Sequence, residues 1–346
     1  MSWNCNFVTR LPEGFGEDDL LFLRQLGVEY TYMSLPREKH TLRDLSAIVS
    51  LLRDHGLTMR NIQSNTFTFN ADIALGLEHR DEALQSYCDF IEMCGEVGVR
   101  SIEQNMMPFF VYSSGIETTT RGAKTRTTDI DTMLHMPVPP LGRPAWINPD
   151  HEARQQELVK LYRAAEARGY TREELWDNFA YFTDRVIPVA EKAGVRISLH
   201  PADPPCFETI GGVPQLIRSF EDYKTAFCIA NSRALGMTFC CGCWLEGGDR
   251  FGSVLEDMEY CLQNDLIEVV HVRNISAPLP HFDETFLDNG FYDYYPVFRL
   301  LKKYNYSGLV NPDHNPVMVD GASRRAPQSY HIGFMRAYAM RAAMED

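Results

Sequence analysis

Four short apolar runs in this chain each end in a residue able to bind a metal ion. They read Ile197-Ser198-Leu199-His200, Met237-Thr238-Phe239-Cys240, Ile267-Glu268-Val269-Val270-His271 and Leu309-Val310-Asn311-Pro312-Asp313. The ligand-type residues stand at 200, 240, 271 and 313, so they are 40, 31 and 42 residues apart, about one strand-helix-strand unit each time. Taken singly, a His at a strand end is more often a satisfied polar residue, and a Cys there a small core residue. Taken together, two imidazoles, a thiol and a carboxylate would meet if the four strands were parallel neighbours in one barrel, where active sites gather at the C-terminal strand ends. Such a set mixes borderline nitrogen, soft sulfur and hard oxygen. It suits Mn²⁺, Fe²⁺, Co²⁺ or Zn²⁺ better than Mg²⁺ or Ca²⁺. A strictly four-coordinate ion would be closed, whereas a five- or six-coordinate ion would keep positions open for a chelating substrate.

The elements that must position these residues can be read along the chain. Strand patterns occur at Trp3–Val8, Glu29–Ser34, Leu57–Gln63, Val99–Asn105, Val195–His200, Leu235–Cys240, Ile267–Arg273 and Leu309–Asp313. Several are near-continuous apolar or β-branched runs, as expected of strands buried on both faces. Helical patterns fall between them at 17–26, 41–55, 81–97, 171–194, 249–264, 293–304 and 329–344. Thr171-Arg172-Glu173-Glu174 is a capping box, and its helix runs to Gly194 despite Pro188. Gly27, Gly56, Gly98 and Gly194 each close a helix just before a strand begins. Eight strands alternating with helices predict a (β/α)₈ TIM barrel, one domain over 1–346. A doubly wound open sheet is the alternative, but no Gly-rich phosphate loop follows the first strand.

One stretch breaks the rhythm. Residues 109–148 are rich in Thr, Pro and Gly, with Thr118-Thr119-Thr120 and Pro137-Val138-Pro139-Pro140. This long insertion after strand four, extending over 109–170, reads as an active-site lid or as the arm of a homodimer, against a plain surface insertion.

Composition narrows the function. At 45% hydrophobic and 23% charged the chain is an ordinary globular one, and its net charge of −14 argues against a nucleic-acid partner. It contains no apolar stretch of the roughly 18 residues that span a bilayer, and no signal-peptide pattern opens it. The nine cysteines show no disulfide spacing, so the expectation is reduced thiols in a cytoplasm. Cys240-Cys241-Gly242-Cys243 lacks the second close pair of a structural zinc knuckle.

Around the same residues the chain resembles the mannonate dehydratases, hydro-lyases acting on sugar acids in a xylose-isomerase-like barrel. His200-Pro201-Ala202-Asp203-Pro204-Pro205 resembles the family's His-Pro-Asp-Asp-Pro-Pro, and Met237-Thr238-Phe239-Cys240-Cys241-Gly242 its Phe-Thr-Met-Cys-Thr-Gly. His271-Val272-Arg273, Pro312-Asp313-His314 and Ser329-Tyr330 followed by Ile332-Gly333 are similar to its His-Leu-Arg, Pro-Asp-His and Gly-Tyr-x-x-Ile-Gly. Asn105-Met106-Met107-Pro108 and Asp72-Ile73-Ala74-Leu75-Gly76 extend the likeness toward the N-terminus. The resemblance implies Mn²⁺ or Fe²⁺ on His200, Cys240, His271 and Asp313, with Cys240 chosen from its cluster, and conversion of D-mannonate to 2-keto-3-deoxy-D-gluconate and water. Within that chemistry Tyr330 and His314 are candidates for the acid/base pair, and Arg273, Asp203 and Asn105 for substrate contacts. Arg273, two residues after His271, would clamp the carboxylate.

The likeness has gaps. Phe69-Asn70-Ala71-Asp72-Ile73-Ala74 stands where the family has Val-His-Glu-Asp-Ile-Lys, Leu287 where it has a His, and Trp3-Asn4-Cys5-Asn6 near its Trp-Tyr-Gly. Two other readings therefore stay open: a divalent-metal sugar isomerase or epimerase on the same barrel, and a sugar-acid binder without turnover. A cationic carboxylate clamp facing the metal would favour the acid substrate.

Overall fold

The computed structural model describes residues 3–64, 66–109, 111–118, 121–136, 151–321 and 324–345, with side chains from 156 onward in the helix that begins at His151. All eight expected strands are present. They are Asn6–Arg10; Tyr30–Tyr32 continued as Ser34–Leu35; Thr58–Met59 continued as Asn61–Ser64; Ser101–Asn105; Arg196–His200; Leu235–Cys240; Ile267–His271; and Leu309–Asn311. Each pairs in parallel with the next, and Asn6–Arg10 pairs with Leu309–Asn311. The circle closes at the second and third strands, where Tyr30 faces Thr58 and Ser34 faces Gln63. The fold is the expected eight-stranded barrel.

Local chemistry explains the elements. The barrel strands Leu235–Cys240 and Ile267–His271 are buried along their whole length, which their apolar runs require, and Ser101–Asn105 is buried throughout although four of its five residues are polar. Thr41 caps the helix Leu42–Asp54 by accepting from the Asp44 amide, and Thr171 with Glu174 forms the capping box of Arg172–Ala193. Gly27, Gly56, Gly98 and Gly194 all have φ between 64° and 91°, the left-handed turn from which the chain re-enters the sheet. Inside the barrel Val8, Val269 and Leu309 pack together with Tyr30 and Tyr32.

Within the insertion, 110, 119–120 and 137–150 lie outside the described residues. The described part contains a hairpin, Gly115–Thr118 with Lys124–Asp129, which the sequence reading left without structure. Its inner strand pairs with His281–Thr285, which in turn pairs with Asn274–Ile275 in a second, antiparallel sheet. Lys124 also exchanges both backbone bonds with Val317, in the loop after the eighth strand. The hairpin is thereby anchored over the loops that follow strands seven and eight.

Candidate metal centre at the C-terminal end of the barrel

The four strand-end residues converge. Ligand atoms of Cys240, His271 and Asp313 lie within 4.8 Å of one another, and the same holds for His200, Cys240 and Cys243. The rings of His200 and His271 are 5.3 Å apart. All four arrive on consecutive parallel strands, whose common direction brings their ends together.

Each of these side chains is held by its surroundings. His200 Nδ1 donates to the Pro201 carbonyl at 2.8 Å, which leaves Nε2 free to coordinate. Asn105 braces the same carbonyl from Nδ2 at 3.0 Å, and its Oδ1 accepts from the Met107 amide at 2.6 Å. His271 Nδ1 lies 3.3 Å from Asp313 Oδ1, yet it is buried without a hydrogen-bond partner. An orphaned imidazole nitrogen beside a carboxylate and a thiol fits a divalent ion in both position and donor type. Glu103, a carboxylate inside the fourth strand, approaches His271 Nε2 at 3.7 Å and accepts from Gln63 at 2.6 Å.

The electrostatics agree. Burial opposes ionisation of Cys240, as does Asp313, but hydrogen bonding from Cys243, the charge of Arg273 and contact with His200 hold its thiol well below the usual range. Burial, followed by the hydrogen bond and charge of Cys240, pushes Cys243 well up. The two shifts favour the thiolate at Cys240 and the thiol at Cys243, and a thiolate is the form able to bind a metal. Burial of His200 is outweighed by Cys240 and Glu103, and its pKa rises to about 9. For His271 burial is likewise outweighed, by Asp313, Cys240 and Glu103. Asp313 is driven well down, against burial, by His314, His271 and Arg273.

The three residues expected to contact substrate do line this site, but they are occupied by the protein itself. Arg273 is wholly buried. Its Nε donates to Asp313 at 2.9 Å, Nη1 to Glu284 at 2.8 Å and to Glu246, and Nη2 to Asp203 at 3.1 Å, with the sulfurs of Cys240 and Cys243 at 3.6 and 3.7 Å. A guanidinium has five N–H donors, and these partners use them all. Arg273 thus faces the cluster of strand-end side chains, as its strand register predicted, but it holds Asp313 and its donors are taken up by protein groups. Asp203 sits between Arg273 and Arg126, whose Nη1 is 2.7 Å away, and Asn105 is spent on the Pro201 carbonyl and the Met107 amide. All three groups are buried and paired within the protein.

His314 is half-buried, with Nδ1 donating to Glu284 at 2.7 Å and Nε2 3.8 Å from Asp313. Against burial, Arg126, His314 and Arg273 hold the Glu284 carboxyl well below its ordinary range. Tyr330 lies in the C-terminal helix Arg325–Met344. Its hydroxyl accepts from Arg121 at 3.3 Å, Arg121 pairs with Asp288 at 2.7 Å, and the ring stands edge-on to Phe286. Its described partners thus belong to the hairpin tip and to the loop after His281–Thr285.

Sequence reasoning missed Arg126, Glu246 and Glu103. Arg126, on the hairpin strand, reaches Asp203, Glu246 and Glu284 at 2.7–2.8 Å. Glu246 lies in the short helix Cys241–Gly247 that starts directly at the end of the sixth strand. Only Glu103 left a local signal: a carboxylate within a strand buried at every position.

Comparison with known proteins gives one consistent result. The profile of the D-mannonate dehydratase family matches residues 19–341. A mannonate dehydratase of Oceanobacillus iheyensis is 28% identical over 326 residues, covering 87% of this chain and 86% of that protein. One from Streptococcus pneumoniae is 28% identical over 283 residues, covering 79% and 74%. Among solved structures, mannonate dehydratase from Streptococcus suis serotype 2 superimposes with a TM-score of 0.82 at 22% identity, covering 99% of this chain and 97% of that one. L-ribulose 3-epimerase shares the fold at a TM-score of 0.60 and 11% identity.

Proposed function

The chain belongs to the D-mannonate dehydratase family, and from that premise we propose that it removes water from D-mannonate to give 2-keto-3-deoxy-D-gluconate, using Mn²⁺ or Fe²⁺ held by His200, Cys240, His271 and Asp313. The observation that carries this reading is the convergence of those four side chains, with a thiolate and an orphaned imidazole nitrogen among them. When bound, the ion supplies Lewis acidity that makes the proton α to a carboxylate easier to remove.

The residues around it divide the remaining work. Pro201, Asn105 and Arg273 hold the ligands in their coordinating orientations. His314 is the base proposed to take the C2 proton at Nε2. Glu284 accepts from Nδ1, fixes the tautomer and stabilises the imidazolium that forms. Tyr330 is proposed to give its proton to the departing C3 hydroxyl, which leaves as water. Arg121, donating to the phenol oxygen, would stabilise the phenolate left behind. The enol then becomes the ketone. Arg126 and the hairpin that carries it close one side of the site.

Mn²⁺-loaded protein offered a panel of aldonates tests the reading. Release of a 2-keto-3-deoxy acid from D-mannonate is the expected result. Isomerisation or epimerisation of an uncharged sugar, without keto-deoxy acid from any aldonate, would overturn it.

A further inference from the structure

A sugar acid brings a carboxylate to the site, and the two arginines already described, Arg126 and Arg273, are consumed by Asp203, Glu246, Glu284 and Asp313. Two others stand at the same mouth. Arg10 is the last residue of the first strand, opposite Tyr32 in register. It lies two residues after Val8, whose side chain packs inside the barrel with Val269 and Leu309. Side chains two apart on a strand share a face. Arg10 therefore stands above Val8 as His271 stands above Val269 and Asn311 above Leu309, in the layer of the metal ligands. Tyr32, its neighbour, has its hydroxyl 3.3 Å from Asn311 Nδ2, which ties this side of the mouth to the strand that carries Asp313.

Arg324 comes from the other direction. It caps the C-terminal helix in the left-handed conformation, φ 52°, and is half-buried. Of the charges that act on it, Arg10 opposes its own and Tyr32, Glu284 and Asp313 favour it, so it shares its surroundings with Arg10 and with groups of the candidate metal site. Among the described residues neither arginine side chain makes a hydrogen bond or ion pair, although the carboxylates deeper in the site are each paired. Two guanidiniums held near one another without a direct counter-ion form a site for an anion.

We infer that Arg10 and Arg324 together bind the carboxylate of the sugar-acid substrate. The assignment rests on the proposed dehydratase reading. It gives that reading the cationic clamp that Arg273, occupied by protein carboxylates, cannot provide. It also gives the chain a means of preferring an aldonate over an uncharged sugar of the same shape.

The test uses Mn²⁺-loaded protein with Arg10→Gln, Arg324→Gln and the two Lys variants. Metal content, kcat and KM for D-mannonate are measured, together with calorimetric binding of D-mannonate and of D-mannitol, which lacks the carboxylate. Metal content should stay at the wild-type level. Each Gln variant should raise KM and Kd for D-mannonate about 10- to 100-fold with kcat within about threefold, the loss expected of a charge-assisted contact. Lys should recover part of the loss, and D-mannitol binding should be unmoved. Unchanged KM and Kd in both Gln variants, with wild-type protein still turning over D-mannonate, would overturn the clamp and leave the dehydratase reading standing. Aldonate binding that weakens in the Gln variants, in a wild-type protein that releases no keto-deoxy acid, would uphold the clamp and overturn the dehydratase reading. Wild-type protein that binds no sugar acid would overturn both.

Discussion

Replacing Arg273 by Met would remove the centre of a buried charge network while keeping most of the side chain's volume. Arg273 is wholly buried and gives its five N–H donors to Asp203, Glu246, Glu284 and Asp313 and to two cysteine sulfurs. Without it Asp203, Glu246 and Glu284 share Arg126, and Asp313 keeps only His271 and His314 beside it. Breaking a buried charged network from one side costs about 3–5 kcal/mol. The number of bonds lost gives a similar scale, since two or three uncompensated charge-assisted bonds at about 1.5–3 kcal/mol each reach the same range. Lys in place of Arg would keep the charge but lose the fork, and should recover less than half of the deficit.

The pH dependence distinguishes this cause from simple loss of packing. Glu284 and Asp313 are both held below their ordinary pKa, so in the wild-type protein they contribute stability above the unfolded carboxylate range, about pH 4, and lose it as pH falls toward their folded values. In Arg273→Met that contribution is reduced to what Arg126, His314 and His271 supply, and the carboxyls that lose their partner regain stability as they protonate. The deficit should therefore be largest near pH 7 and shrink below about pH 5. Denaturant unfolding of metal-free wild-type and variant protein at several pH values measures it. Metal binding reads the second consequence: Asp313 loses its 2.9 Å partner, and affinity should fall about 10- to 100-fold. A deficit under 1 kcal/mol, or one independent of pH, would refute the view that Arg273 is an internal counter-ion.

Cys240→Ser should remove most bound Mn²⁺ or Fe²⁺ and Cys243→Ser should not, because only Cys240 is the thiolate; equal losses by elemental analysis would contradict the choice. His314→Gln should keep the metal and lower kcat about 10²- to 10⁴-fold, the range for a general base. Tyr330→Phe should also keep the metal and lose most turnover, and an unchanged kcat would restrict its hydroxyl to anchoring the hairpin through Arg121. At Gly242 an added Cβ would lie 2.7 Å from Arg273 Cζ and Nε, so Gly242→Ala should displace the guanidinium and cost both stability and metal affinity; full metal occupancy would contradict that packing.

The barrel was legible because its strands are buried on both faces, and such strands must be written as apolar runs wherever they stand in the chain. The convergence of the residues at their C-terminal ends was legible for the same reason: strand ends of a parallel barrel are neighbours regardless of sequence separation. The rest of the site lacks that local imprint. Arg126 belongs to a short Thr-rich strand, Lys124–Asp129, whose partner His281–Thr285 is about 150 residues away, and nothing in either segment names the other. The saturation of Arg273 could not be read either, because its carboxylates come from four separate segments: two loops, a helix and a strand. The helix Phe220–Ala230 carried a signal that went unread, Ser219 capping it through the Asp222 amide.

The same network explains why a cation belongs here. Asp203, Glu284 and Asp313 and the Cys240 thiolate face two guanidiniums, and Glu103 adds another acidic group beside His271. The surplus is negative and buried, which is costly unless balanced. Without metal the two imidazoles carry the balance, and for that reason both are pushed upward against burial. A divalent ion must displace those protons, so loading should release protons at neutral pH. Titration of the metal-free protein with Mn²⁺ in weakly buffered solution would count them. Release of none would mean that the histidines are already neutral and that the surplus of negative charge is held in another way.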